Sequence, residues 1–301
     1  MSDTVIIIMG PTAVGKTEIA IEVAKKINGE IISADSRQIY KGLIIGTSAP
    51  VNPEVPYHLV NFLDPKKQFN AMEFSRLANE LIKDIHKRKK RAIVVGGTGL
   101  YIRALLGNFF LGNTRNENIR SELRKRHQKG ENLWNELNLI DPELAAKIHP
   151  NDFVRIERAL EVYYTTGKTM TYLRKFGNYQ KPDFISKKFL LTMNKDDLYK
   201  KINKRVDEMI NSGFLNEVQN LLNSGIPANS PGLQSLGYQE IINYLNGNTS
   251  LPQTIEKIKQ RTRQYARRQL IWFKSEKDTI TINLSNTTKE EAIKIITELS
   301  K

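Results

Sequence analysis

"GPTAVGKT", residues 10–17, follows the apolar run of residues 5–9 and opens a stretch, Lys16–Ile27, with the spacing of a helix. The octet fits G-x-x-x-x-G-K-[ST], with Gly10, Gly15, Lys16 and Thr17 at the fixed positions and Pro11, Thr12, Ala13 and Val14 between them. Between a strand and a helix this pattern has a mechanism. Successive backbone N–H groups and the helix N-terminus cradle a di- or triphosphate, the lysine neutralises oxygens farther along it, and the Thr17 hydroxyl holds Mg2+. An ordinary glycine turn would explain neither the lysine nor the threonine. The loop implies a polyphosphate and a magnesium cofactor, without specifying ATP.

Outward from the loop, residues 30–34 read as a second strand, residues 72–87 as a helix with Phe74, Leu77, Leu81 and Ile85 on one face, and residues 92–95 as a third strand. This alternation predicts an α/β fold, a P-loop NTPase-like parallel sheet flanked by helices, with ligands at the carboxyl ends of the strands. From residue 113 the strands give way to helical segments at 116–129 and 151–166, the latter with Asn151 as N-cap and Gly167 as its stop. A strand returns at 189–193, and a last strand at 279–282 precedes a helix from Thr287. The expected organisation is a core of residues 1–112 and 187–301 carrying C-terminal helices, and a helical insertion domain at 113–186.

Two further strand ends are chemically suggestive. "ISADSRQIY" (32–40) places Asp35 where a general base could face the phosphate loop, although Asp-Ser after a strand also serves as a turn or helix cap. "GGTGLYIRALL" (96–106) allows either a close backbone approach to a ligand or a tight turn, with the Thr98 hydroxyl beside it.

Composition narrows the partners. The chain has 301 residues, no cysteine, and 46 Lys and Arg against 32 Asp and Glu, a net charge of +14. Disulfides and thiolate chemistry are excluded, no apolar run is long enough for a membrane span, and the cytoplasm is the expected compartment. Such a surplus suits a polyanion, or a merely basic surface. It concentrates at 254–274, where residues 257, 259, 261, 263, 267, 268 and 274 are basic against one acid, Glu256, interleaved with Ile258, Tyr265, Trp272 and Phe273. "HKRKKR" at 86–91 ends a helix, where cations complement the dipole, so a structural part is expected there. The four histidines lack ligand spacing, and no zinc site is expected. Trp134 and the Tyr163-Tyr164 pair are expected in the core.

Five blocks occur in the order found in bacterial tRNA dimethylallyltransferases, also called tRNA isopentenyltransferases: residues 10–47, "GGTGLYIRALL", "IHPNDFVRIERALEVYYTTGK", "RVDEMINSGFLNEV" and "RQYARRQLIWF". The chain resembles that family over nearly its whole length. The resemblance implies transfer of a dimethylallyl group from dimethylallyl diphosphate to the N6 amine of the adenine 3′ of the anticodon, releasing diphosphate. It makes Asp35 the general base and puts Thr98 and Arg120 on the tRNA side of the active site. It further implies tRNA contacts from Ser36, Arg37 and Gln38, from Val154, Arg155, Ile156, Glu157 and Arg158, from Gln234, Gly237 and Tyr238, and from Arg267, Arg268, Gln269 and Trp272. The partners would be a tRNA anticodon stem-loop and dimethylallyl diphosphate, with no membrane, and the protein a monomer. Two positions depart from the family pattern: Ala49 stands where G-T-x-K-P has lysine, and Lys195 where D-R-x-x-L-Y has arginine. A small-molecule kinase using ATP would share the phosphate loop and the sheet but would leave the basic carboxyl-terminal region unexplained. A nucleic-acid-binding ATPase would give Asp35 no task.

Overall fold

The computed structural model describes residues 4–107, 115–177 and 182–300. The chain divides into two compact units, Met1–Leu105 with Pro182–Lys301, and Leu106–Lys181. The insertion thus begins and ends a few residues before the 113–186 expected from the sequence, and residue 113 itself lies outside the described residues.

In chain order the first unit contributes β1 (Thr4–Met9), α1 (Lys16–Ile27), β2 (Gly29–Ser33), β3 (Tyr57–His58), α2 (Ala71–Lys87), β4 (Arg91–Gly96) and α3 (Gly99–Leu105). The insertion follows as α4 (Glu117–Gln128), α5 (Leu133–Ile140), α6 (Pro142–Ala145), α7 (Phe153–Thr166) and α8 (Met170–Phe176). The first unit resumes with β5 (Ile185–Thr192), α9 (Lys195–Asn211), α10 (Phe214–Asn223), α11 (Tyr238–Leu245), α12 (Leu251–Phe273), β6 (Thr279–Asn283) and α13 (Lys289–Leu299).

The sheet is parallel throughout, in the order β3-β2-β4-β1-β5-β6. Strand β1 is buried at every position, as a central parallel strand covered on both faces must be, and that is why its sequence is an unbroken apolar run. Because β4 lies between β2 and β1, the carboxyl ends of β1, β2 and β4 meet on one rim. One core joins the strands to α1, α9 and α13 through Ile19, Val23, Leu198, Ile202, Ile293 and Ile296. A second gathers Ile39, Tyr40, Leu43, Phe214, Tyr238 and Ile258 beneath the α9–α12 helices. The insertion has its own core around Leu123, Leu137, Leu144 and Leu160.

Local signals explain most boundaries. Asn70 caps α2 by accepting from Met72 N and Glu73 N, and the Glu73 carboxylate accepts in return from Asn70 N. The cap of α7 is Asp152 rather than Asn151, because the Asp152 carboxylate accepts from Arg155 N. Gly167 ends that helix in the left-handed region, as the sequence indicates. Trp134 packs against the insertion core and donates its indole N–H to Ile148 O at 2.9 Å. Tyr164 does not join a core: it is half exposed and its hydroxyl donates to Glu136.

The basic run 86–91 is structural. Arg88 and Lys90 both pair with Glu30, a strand residue whose side chain is only 2% exposed, and His58 on β3 lies 2.8 Å from the same carboxylate. These partners, Arg88 foremost, hold the Glu30 carboxyl far below the usual carboxylate range. A depressed folded pKa contributes stability that is complete above the unfolded value, about 4.3, and is lost as pH falls toward the folded value. Glu30→Gln is expected to cost about 1.5–3 kcal/mol at pH 7, and the gap to the parent should narrow on acidification below pH 4, read by urea unfolding at each pH.

Candidate active site

The phosphate loop runs from the end of β1 into α1, whose N-cap Gly15 is left-handed, at φ 109°. Lys16 folds back over the loop and donates to Pro11 O at 2.7 Å. Burial lowers its pKa to about 7; the Asp35 charge opposes that shift and Arg205 adds to it. A cavity of about 590 Å3 opens over this loop, walled by Thr12, Gly15, Lys16, Thr17, Asp35 and Arg205 among others. Beside it lies a second cavity of about 90 Å3 that shares Thr12, Asp35, Thr47, Arg205 and Tyr265 with the first. Its remaining wall is mostly apolar: Ile202, Val206, Met209, Phe214, Leu236 and Ile258.

Asp35 stands between them. Its Oδ1 accepts from Arg37 N at 2.8 Å and, more weakly, from Gln38 N at 3.4 Å, so the carboxylate caps its own turn. Among the described residues none donates to Oδ2. The two roles the sequence leaves open for Asp35, cap and cleft carboxylate, fall to its two oxygens. Thr98 holds the same turn from the end of β4: its hydroxyl accepts from Ser36 N at 3.0 Å and donates to Ser36 Oγ, and Thr98 N donates to Ala34 O. The Arg37 guanidinium donates to Pro231 O, and Arg37 lines the smaller cavity.

Several residues assigned to tRNA by resemblance have inward side chains. Gln38 is buried, accepting from Ser33 Oγ and donating to Thr47 O and Ser48 O, so it shapes the loop that walls both cavities. Gln269 is 6% exposed; its Oε1 accepts from Thr12 N at 2.8 Å and its Nε2 donates to Gly97 O at 2.9 Å. Both ends of that amide are used within the chain. A Cβ on Gly97 would collide with the Gln269 side chain, and one on Gly99 with the Trp272 ring, so the glycine cluster is a docking site for α12. Trp272 in turn lies under the Arg103 guanidinium, 4.2 Å from the ring centroid. Tyr238 is fully buried, as are Gly237, Ile156 and Glu157, and Glu157 accepts from Arg124. Gln38 and Gln269 nevertheless line the larger cavity.

Others do face solvent. Arg267 and Arg268 on α12, Gln234, and Val154 and Arg155 on α7 are exposed, and Arg268 lies over the Tyr265 ring. Arg120 and Arg158, in the insertion, both pair with the buried Glu161, Arg120 through two hydrogen bonds of 2.7 and 3.0 Å. Of the two departures, Ala49 is buried with its N–H on Ile44 O, and Lys195 sits at the start of α9 with its ammonium over the Tyr199 ring.

Three cleft residues lie outside the sequence expectations. Arg205, from α9, has its guanidinium 3.5 Å from both Thr12 Oγ1 and Thr47 O, and burial lowers its pKa. Tyr265 lines both cavities, and burial together with the Asp35 charge pushes its phenol up to about 12. Tyr57, on the short β3, lines the larger cavity with Thr17. The only sequence signal for Arg205 is its place at the head of the "RVDEM" block. Among the described residues no group of three or more His, Cys, Asp or Glu converges, and Mg2+ beside phosphates typically takes one or two protein oxygens, the rest coming from substrate and water. Thr17 would supply the hydroxyl.

A parallel sheet with a phosphate loop, a cleft carboxylate and an adjoining apolar cavity defines a group-transfer enzyme of the P-loop class. The IPP transferase family model matches residues 38–276. The chain is 42% identical to the tRNA dimethylallyltransferase of Halothermothrix orenii, covering 100% of this chain and 92% of that protein. The full-length tRNA isopentenylpyrophosphate transferase of Bacillus halodurans superposes with a TM-score of 0.74 at 36% identity, over 99% of this chain and 96% of that one. A eukaryotic dimethylallyltransferase acting on tRNA gives a TM-score of 0.83 at 30% identity, over 99% and 79%. The chain belongs to the IPP transferase family. These findings support the transferase and not the kinase.

The lowered Lys16 pKa has a consequence for diphosphate binding. A phosphate ligand favours the charged lysine, so Lys16 should bind best below about pH 7, and above it binding must take up a proton. The affinity advantage of the parent over Lys16→Met for inorganic diphosphate is expected to shrink by up to roughly tenfold per pH unit above 7, measured by calorimetry between pH 6 and 9. A constant ratio would show that Lys16 stays charged throughout.

Proposed function

We propose that the chain transfers a dimethylallyl group from dimethylallyl diphosphate to the N6 amine of an adenine beside the anticodon of tRNA, acting in the cytoplasm as a monomer. The observation that carries this reading is one rim holding a diphosphate cradle, a carboxylate and an apolar cavity together. An adenine amine is a weak nucleophile, because its lone pair is delocalised into the ring, and a carboxylate that takes its proton as the new bond forms assists it. Asp35 supplies that carboxylate, with Oδ1 fixed by backbone amides and Oδ2 available to the amine. The N6–C1 bond forms, the C1–O bond breaks, and the electron pair leaves with the diphosphate.

Charge grows on the departing oxygens where the loop amides, Lys16 and Arg205 converge, and fixed donors there stabilise it without reorganising. Bound at Thr17, Mg2+ would supply further positive charge to the diphosphate. The apolar wall of the smaller cavity suits the allyl group and keeps water from the carbon that becomes cation-like. No helix of the described residues is long and apolar enough to cross a membrane. The target base must leave its stack to reach Asp35, and a basic surface that grips the surrounding backbone supports that cost.

On α12, Lys259, Arg261 and Arg263 are paired to Asp207, Glu240 and Glu256. Arg267 and Arg268 make no ion pair among the described residues and are left to meet phosphate.

Incubating unmodified tRNA with the protein, magnesium and dimethylallyl diphosphate should give a dimethylallyl mass gain on adenosine by nucleoside mass spectrometry. Asp35→Ala should slow single-turnover transfer by roughly 10² to 10⁴-fold with tRNA affinity nearly unchanged, and a rate within threefold of the parent would sink its role as base. Arg267→Ala with Arg268→Ala should flatten the salt dependence of tRNA binding by roughly one unit per lost phosphate contact, read by filter binding across a salt series. An unchanged slope in a folded double variant would mean that the RNA is held elsewhere.

A further inference from the structure

One wall of the smaller cavity is a tightly constrained ring. Phe214, the first residue of α10, is 1% exposed and lines the cavity between two glycines that line it too. A Cβ on Gly46 would collide with one edge of the ring, and a Cβ on Gly237 would come within 2.9 Å of Phe214 Cε1. Tyr238 closes a third side, edge-on, with ring centroids 4.9 Å apart at 78°.

The frame around the ring is tied by one carboxylate. Glu217, one turn along the same helix, accepts from Ile44 N at 3.0 Å, Ile45 N at 2.6 Å and Gly46 N at 3.2 Å, and from the Tyr238 hydroxyl at 2.7 Å. Helix α10, the loop at 44–46 and the start of α11 are thereby fixed to one another around the ring. The ring cannot rotate away to enlarge the cavity without moving Gly46 or Gly237. The space beside the ring is about 90 Å3, so lengthening a bound allyl chain by a second five-carbon unit would require the ring to move or the chain to turn back toward the larger cavity.

We propose that Phe214, locked between Gly46 and Gly237 by the Glu217 carboxylate, sets the length of the allyl group this enzyme accepts, restricting it to five-carbon allylic diphosphates. The inference rests on the transferase reading above. With a ten-carbon donor the chemistry is unchanged: the N6–C1 bond forms, the C1–O bond breaks, diphosphate leaves and the N6 proton is lost. Only the room for the chain beyond C1 differs. Hydrophobic pockets discriminate by roughly 10 to 200-fold per methylene where the extra group has no space, so removing the ring should relax the choice measurably.

The experiment compares kcat/KM for dimethylallyl and geranyl diphosphate on unmodified tRNA in the parent, Phe214→Leu and Phe214→Ala, with folding monitored by thermal melting. The ratio of geranyl to dimethylallyl use should rise at least tenfold in Phe214→Ala and by less in Phe214→Leu. Inhibition of dimethylallyl transfer by geranyl diphosphate should strengthen in the same order. If the alanine variant does not fold, the leucine variant alone decides, through both the ratio and the inhibition. Normal dimethylallyl transfer with neither ratio nor inhibition changed in a folded variant overturns the role of Phe214 and leaves the transferase reading standing. A parent that transfers no dimethylallyl group overturns that reading instead.

Discussion

One buried amide holds the active rim together. Gln269 accepts from Thr12 N in the phosphate loop and donates to Gly97 O at the end of β4, so a helix from the far end of the sequence is fastened to two strand ends at once. The bonds matter more for what they forbid than for their sum. Without the amide, the Thr12 N–H and the Gly97 carbonyl would each lose a partner, and an unsatisfied buried polar group costs about 1–3 kcal/mol. The same docking brings Trp272 onto Gly99 and under Arg103, and aims Tyr265 into the cleft. The exposed arginines of α12 therefore stand in a fixed relation to the phosphate loop. The surface proposed to meet RNA is thereby registered to the phosphate loop.

The charge surplus is not spread as freely as the composition suggests. Buried carboxylates absorb much of it: Glu30 takes Arg88 and Lys90, Glu161 takes Arg120 and Arg158, Glu157 takes Arg124 and Glu240 takes Arg261. Burying such pairs contributes little net stability, but it fixes long side chains in place. Two arginines on the single carboxylate of Glu161 still leave a net positive charge, held in a defined geometry. On or just after α12 the cations without an ion pair among the described residues are Arg267, Arg268, Lys257 and Lys274, and these are the ones proposed to meet a polyanion.

What was legible in the sequence followed from local rules. The apolar run of β1, the glycine and lysine spacing of the phosphate loop and the stop at Gly167 are each set by neighbouring residues, and the strand and helix order could be read from them. Asp35 and Thr98 could be placed because each follows a strand on the same rim. The strand β3 is too short to carry a periodic signal. Arg205, Tyr265 and Phe214 reach the cleft only through the packing of α9, α10 and α12, from 170 or more residues beyond Asp35, and no spacing rule spans that distance. Gln38 and Gln269 show what a motif leaves open. Their blocks resemble those that meet tRNA, yet their side chains are turned inward, because a motif records that a residue is required and not which way it faces.

The arrangement also separates two electrostatic demands that would conflict at a single point. The leaving diphosphate needs concentrated positive charge, which Lys16 and Arg205 provide at a loss of solvation evident in the lowered pKa of each. The proposed attack by the amine needs a carboxylate oxygen open to it, and a cation paired directly to Asp35 would occupy that oxygen. Asp35 takes its hydrogen bonds from backbone amides on Oδ1 and makes no ion pair among the described residues, so Oδ2 is left toward the cleft, while its charge acts on Lys16 and Arg205. The carbon that transfers would lie between these poles, beside an apolar wall that offers it no competing nucleophile.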